Sequence, residues 1–94
     1  MKKIINWLKK HNIYFSFTDK GVNKYITITL EDAIWINGYN EEMKYQKYIN
    51  IHFDTYKNYS VTECIGYNRF ITLGKNTKAD KIIDVLAKRF GVNE

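Results

Sequence analysis

The hydrophobic residues at both ends of this 94-residue chain recur with the 3.6-residue period of an amphipathic helix. The first such stretch is residues 2–11, where lysines lie opposite an apolar face formed by Ile4, Leu8 and His11. The second is residues 76–91, whose apolar stripe is Ala79, Ile82, Ile83, Leu86 and Phe90. The pattern predicts one helix at each end of the chain.

Between the two helices the pattern changes to the period of two that is typical of half-buried strands. The predicted strands are residues 12–18, 24–30, 33–36, 45–54, 59–67 and 70–73. Because no helix separates two strands, antiparallel pairing is favoured over parallel units. We therefore expect one α+β domain over residues 1–94, with an N-terminal helix, an antiparallel sheet of four to six strands and a C-terminal helix. Both helices are expected on one face of the sheet.

Local signals suggest where these elements begin and end. Asn37-Gly38 favours a tight type I′ turn, and the polar residues after it predict a loop. Thr77 and Asp80 have the spacing of a capping box at the start of the last helix. Gly91 suits a left-handed helix stop.

The pairing of the two longest strands can be predicted by matching apolar residues across them. This rule places Phe53 opposite Val61 and leaves Ile51 opposite Glu63. A carboxylate opposite a core isoleucine is a misfit, which an edge position or a β-bulge would explain.

The net charge of +5 is unevenly distributed. Residues 1–30 and 64–94 are basic, whereas residues 31–63 have three lysines and six carboxylates, a net charge of −3. The abundance of Lys, Asn, Ile and Tyr fits an A/T-rich gene, which suggests a low-GC bacterium or its phages and plasmids. The chain has one cysteine, no recognisable targeting segment and no run of about 20 apolar residues. We expect a protein of the bacterial cytoplasm that does not enter membranes.

No arrangement of residues favours catalysis or cofactor binding. Cys64 and His52 are expected on the same sheet face, where a Cys–His pair can form a nucleophile. No third orienting group or oxyanion motif accompanies them, so both are interpreted as ordinary strand residues. The histidines and the cysteine lack zinc spacing, and the acidic pairs do not match a calcium loop. We expect no enzyme activity, metal or cofactor.

The lysines on the outer helix faces offer one candidate binding surface. Positive charge near a helix N-terminus suits contact with a nucleic-acid phosphate. The candidate nucleic-acid-binding residues are Lys9, Lys10, Lys75, Lys78, Lys81, Lys88 and Arg89. The other interpretation of these lysines is that they only solubilise the domain.

The start of the last helix reads Gly74-Lys75-Asn76-Thr77-Lys78-Ala79-Asp80-Lys81. Preceded by a helix and strands, it resembles the corresponding segment of double-stranded-RNA-binding domains. That resemblance implies phosphate contacts for Lys75, Lys78 and Lys81. The segment covers about a tenth of the chain, and the Gly-Pro-x-His loop of that family is replaced by Asp19-Lys20-Gly21-Val22.

In size, element order and composition, the chain also resembles the small anti-CRISPR proteins of phages of Gram-positive hosts. That resemblance implies a non-enzymatic protein that binds and modulates or inhibits a host nucleic-acid-processing enzyme. The central aromatic residues are the candidate contacts, because tyrosine is enriched at protein interfaces. These partner-binding candidates are Trp35, Tyr39, Tyr45, Tyr48 and Tyr56.

Two short helices would leave one face of the sheet open. We expect this face, with the loop at residues 37–45, to bind a host protein or a protein–nucleic-acid complex. A homodimer through the same face is an alternative partner. Nucleic-acid binding through the lysine face is the second functional hypothesis.

Overall fold

The computed structural model describes residues 1–21, 23–53 and 58–92 of the chain. Helix α1 (Lys2–Lys10) comes first and helix α2 (Ala79–Phe90) comes last. The strands between them are β1 (Ser16–Lys20), β2 (Asn23–Ile36), β3 (Glu42–Phe53), β4 (Tyr59–Gly66) and β5 (Arg69–Thr77). They form one antiparallel sheet in chain order, so β1 and β5 are its edges. The predicted α+β fold is confirmed.

The core is a layer of branched aliphatic side chains between the helices and one face of the sheet. Its fully buried sheet residues are Ile26, Ile28, Ile49, Ile51 and Val61. Cross-strand pairing places all five on the same face. The fully buried helix residues are Ile4, Leu8, Ile82 and Leu86. Both helices therefore cover the same face of the sheet, as the two helical periods predict.

The two helices begin at the same end of the sheet. The Lys3 ammonium in α1 pairs with the carboxylate of Asp80 in the first turn of α2. Thr77, near the start of α2, pairs with the first residue of β4. Arg89, in the last turn of α2, contacts Glu63 further along that strand. Helix α2 thus lies along β4, with its N-terminus beside that of α1.

Strands β2 and β3 extend well beyond the layer that the helices cover. With 14 residues, β2 spans roughly 46 Å at about 3.3 Å per residue. Helix α2 has 12 residues and spans roughly 18 Å. Among the described residues, β1 pairs only with residues 23–27 of β2, and β4 only with residues 49–53 of β3. Residues 31–47 form a two-stranded projection, here called the arm.

The arm corrects two predictions. Residues 33–36 are not a separate strand, because β2 continues through them after a β-bulge that sets Leu30 and Glu31 opposite Lys47. The turn is not a two-residue type I′ turn. The left-handed residue is Asn40, at φ 59°, and the Asn37 carboxamide oxygen accepts hydrogen bonds from the backbone N–H groups of Tyr39 and Glu41.

The predicted pairing of β3 with β4 is wrong by two residues. The structure pairs Ile51 with Val61 and places Glu63 opposite Ile49. Tyr59 lies opposite Phe53 instead, and their rings pack with centroids 4.7 Å apart. Burial raises the pKa of the Tyr59 hydroxyl above its ordinary value. Because a tyrosine suits either face of a sheet, the apolar pattern alone could not fix this register.

The helix and strand ends also differ from prediction in two places. The N-cap of α2 is Lys78, and no side chain caps it, so the Thr77–Asp80 capping box does not form. The first strand begins at Ser16 rather than Asn12, whose φ of 57° ends the preceding helical turn. Gly91 has the predicted left-handed conformation, at φ 67°.

One face of the arm is braced by the turn between β4 and β5. The Trp35 ring lies against the backbone of Gly66, and the Arg69 guanidinium lies 5.0 Å from the centroid of that ring. The Tyr45 hydroxyl donates a hydrogen bond of 3.2 Å to the carbonyl of Ile65. Only glycine permits so close an approach of the indole to the strand.

We predict that Gly66→Ala destabilises the fold by about 1 to 3 kcal/mol, the usual cost of overpacking. The added Cβ would lie 2.8 Å from Cε3 of Trp35. A matched control is Gly74→Ala, whose Cβ would lie at an ordinary 3.7 Å from Ile82 and Val85. Urea unfolding of the three proteins measures the difference. Equal midpoints for Gly66→Ala and Gly74→Ala would show that Trp35 does not pack on Gly66.

Candidate binding surfaces

Five lysines lie close to the adjoining N-termini of the two helices. They are Lys2, Lys3, Lys75, Lys78 and Lys81, and all are exposed. The positive ends of both helix dipoles point to this region. Asp80, which pairs with Lys3, is the carboxylate in the first turn of α2. We call this set of five lysines the basic end.

A shallow groove of about 770 Å³ runs between α2 and β5. Lys75, Lys81 and Lys88 line it, together with Asp84. The groove places positive charge along one side of α2, with one carboxylate among the three ammonium groups. Two of the lysines implied by the RNA-binding resemblance, Lys75 and Lys81, therefore lie in one groove, and the third, Lys78, is at the adjoining N-cap.

Arg89 differs from the other predicted cations because it is engaged inside the protein. Its Nε lies 2.6 Å from Oε1 of Glu63, and its Nη2 lies 3.1 Å from Oε2. Glu63 is 8% exposed and faces α2 from the core side of the sheet. The hydrogen bonds that Arg89 donates to the Glu63 carboxylate raise the pKa of the Arg89 guanidinium above its ordinary value. The predicted misfit of Glu63 is thus resolved by a two-point ion pair, to which Arg89 contributes its Nε–H and one Nη2–H.

The predicted cations do not form one cluster. Lys9 and Lys10 lie in the last turn of α1, roughly 10 Å along the helix axis from Lys2 and Lys3. Lys88 lies in the last turn of α2. The structure therefore divides the predicted set between the basic end and the far ends of the helices.

The predicted aromatic contacts also lie in different places. Trp35 and Tyr45 share one face of the arm and brace it against the β4–β5 turn. Tyr48 lies on the opposite sheet face, and Tyr39, 85% exposed, lies at the tip of the arm. Tyr56 lies outside the described residues. The four described residues of this set do not form a single surface.

Two residues of the arm were missed as candidate contacts. Ile34 and Ile36 are 56% and 60% exposed, on the arm face opposite Trp35. As alternating isoleucines they were interpreted as part of an ordinary strand. They lie in the open because the bulge at Leu30 and Glu31 reverses which residues face the core, and because the arm extends past both helices.

The sheet face that the helices leave uncovered is rich in hydroxyl, amide and aromatic side chains. Cross-strand pairs define three rows on it. The rows are Thr18–Tyr25–His52–Ser60, Ser16–Thr27–Asn50–Thr62–Thr72, and Thr29–Tyr48 with Cys64–Phe70. We call these residues the open face.

Cys64 and His52 share the open face but do not meet. The Cys64 thiol donates to the carbonyl of Gly66 at 3.3 Å. Nε2 of His52 lies 3.3 Å from the side-chain oxygen of Asn23. Cys64 is buried although it points away from the helices, because Tyr48 and Phe70 flank it with their ring centroids 6.1 Å apart. Cys64 is therefore a small packed side chain that does not contact His52.

Across the described residues, no group of three or more His, Cys, Asp or Glu side chains is arranged to hold a metal ion. Neither helix in these ranges is long and apolar enough to cross a membrane. No family model matches the chain, and comparisons with curated proteins and with solved structures find no match. Function must therefore be argued from the surfaces themselves.

We predict that Arg89→Leu destabilises the protein by about 2 to 3 kcal/mol, because Glu63 is left buried without its partner. The expected loss of stability is smaller than for breaking a fully buried ion pair, because the Arg89 side chain is 36% exposed. Replacing both Glu63 and Arg89 by leucine is expected to restore part of the lost stability. Urea unfolding tests this, with Lys88→Leu as the control. A cost for Arg89→Leu no larger than for Lys88→Leu would contradict a structural role for the pair.

Proposed function

We propose that this chain is a non-enzymatic binding protein that contacts a host protein through its arm. The observation that supports this most is the exposure of Ile34, Ile36 and Tyr39 near the tip of the arm. Single exposed apolar residues are common, but adjacent ones on a projection outside the core are typical of interaction sites. The loop at the tip, which is part of the region at residues 37–45 predicted to bind a partner, adjoins these side chains.

The charge of the arm indicates what kind of site it would enter. Residues 31–47 contain four carboxylates and two lysines, a net charge of −2 in a chain of net charge +5. An acidic projection with an apolar tip is complementary to a basic cleft, and such clefts bind nucleic acid in the enzymes that process it. The proposed target is a host nucleic-acid-processing enzyme, and the proposed role is inhibition or modulation, as in anti-CRISPR proteins.

The proposed setting is a phage or other mobile element acting in the bacterial cytoplasm. The support is compositional, since Lys, Asn, Ile and Tyr are abundant and proline is absent. A protein that sequesters an enzyme by surface contact needs no catalytic group of its own.

We predict that Ile34→Ser with Ile36→Ser abolishes partner binding while leaving the fold intact, because both side chains are already more than half exposed. The measurement is affinity purification from nuclease-treated lysate of a low-GC Gram-positive bacterium, with mass spectrometry of what is retained. Ile71→Ser, at a strand isoleucine 42% exposed on β5, is the matched control. Retention of the same host protein by the double variant would contradict the proposal.

The basic end supports a second candidate function, contact with duplex nucleic-acid phosphates. Two helix N-termini and five lysines lie together there, which is the arrangement that binds backbone phosphates. The proposed contacts are Lys75, Lys78 and Lys81, the same residues that the resemblance to double-stranded-RNA-binding domains implies. Lys9, Lys10 and Lys88 would lie further from this contact.

We predict for this second function that Lys78→Glu with Lys81→Glu weakens duplex binding and reduces its salt dependence. Each lost phosphate contact lowers the slope of log affinity against log salt by about 0.9. The charge-matched control is Lys9→Glu with Lys88→Glu, at the other ends of the helices. Fluorescence anisotropy with duplex RNA and duplex DNA across a salt series gives the slopes. Equal slopes for both double variants would show that no specific site exists at the basic end.

A further inference from the structure

The open face differs in charge from the rest of the surface. Its three rows contain a histidine and no carboxylate. Lys20 adjoins the first row, with Nζ 5.9 Å from the centroid of the Tyr25 ring. Among the described residues of these rows a polyanion would therefore meet no carboxylate, and Lys20 on the edge strand β1 supplies a positive charge beside them.

Aromatic side chains occupy the first and third rows of the open face in two pairs. Tyr25 and His52 have ring centroids 6.1 Å apart and an interplanar angle of 35°. Tyr48 and Phe70 also lie 6.1 Å apart, with Phe70 53% exposed. Thr29, the cross-strand neighbour of Tyr48, is four positions beyond Tyr25 on β2. The two aromatic pairs therefore lie roughly 13 Å apart along the strands.

The middle row supplies hydrogen-bonding groups between the aromatic pairs. It consists of serine, threonine and asparagine side chains from all five strands. The Thr27 hydroxyl donates to the Asn50 carboxamide oxygen at 3.4 Å, a long bond that leaves Asn50 amide hydrogens for another acceptor. Such groups can bond the edges of unpaired bases but find no partner in an apolar protein surface.

We propose that the open face binds single-stranded nucleic acid, with bases stacked on the two aromatic pairs. The face combines one exposed ring, Phe70, with three half-buried rings, polar groups between the two pairs and the Lys20 ammonium, and single strands bind by such stacking beside positive charge. A duplex is not the expected ligand, because its bases are already stacked and paired. This inference does not rest on the proposed arm contact or on the basic end, because the rows of the open face contain none of the residues proposed for those two contacts.

The test is fluorescence anisotropy with a labelled oligothymidylate of about 12 nucleotides, long enough for a site of this size. Phe70→Ala is expected to weaken binding about fivefold or more, since it removes one stacking ring. Phe70→Tyr keeps an aromatic ring at this position, so it is expected to bind the oligothymidylate about as tightly as the unaltered protein. The slope against salt is expected to stay unchanged in both variants, because no phosphate contact is lost.

Phe17→Ala is the matched control, because Phe17 is 42% exposed and pairs with the core residue Ile26, on the sheet face opposite the three rows. Circular dichroism confirms that each variant is folded. The proposal is overturned if Phe70→Ala binds as tightly as the unaltered protein, or if a duplex of equal length binds as tightly as the single strand. Absence of binding at low salt also overturns it. Light scattering that shows a dimer dissociated by Phe70→Ala would assign this face to a second copy of the chain instead.

Discussion

The structure depends on a mismatch in length between the helices and the strands they cover. The apolar layer of isoleucine, leucine and valine is about as long as α2, whereas β2 is more than twice that length. The residues beyond the layer have no helix to pack against, so they form the arm. The second face of the sheet has no helix at all. Both candidate protein and nucleic-acid surfaces result from this single constraint.

Electrostatics divides the molecule along the same direction. The basic end lies where both helices begin, and the acidic arm lies beyond the rows that the helices cover. The ion pair between Arg89 and Glu63 closes the far end of the apolar layer, because it satisfies a carboxylate that the sheet would otherwise bury alone. Arg89, one of the cations predicted to contact a phosphate, therefore also has a structural partner within the fold.

The sequence predicted those features that depend on local periodicity. The two helices, their buried stripes and the antiparallel sheet follow from periods of 3.6 and two, and the exposure of Lys78 and Lys81 follows from their position opposite the stripe. The β-bulge at Leu30 and Glu31 left no comparable signal, so the exposure of Ile34 was missed. The pairing of Glu63 with Arg89 required two residues 26 positions apart to meet, which only the tertiary structure reveals.

We infer that the two helices protect the body of the sheet, whereas no helix covers the arm. Amide hydrogen exchange of the purified protein at low concentration tests it directly. Amides of Ile26, Ile49 and Ile51 are expected to exchange only through global unfolding, whereas those of Ile34 and Trp35 are expected to exchange far faster by local opening. Equal protection of the arm and the body would contradict the claim, because it would mean that the arm is buried against a partner or a second copy.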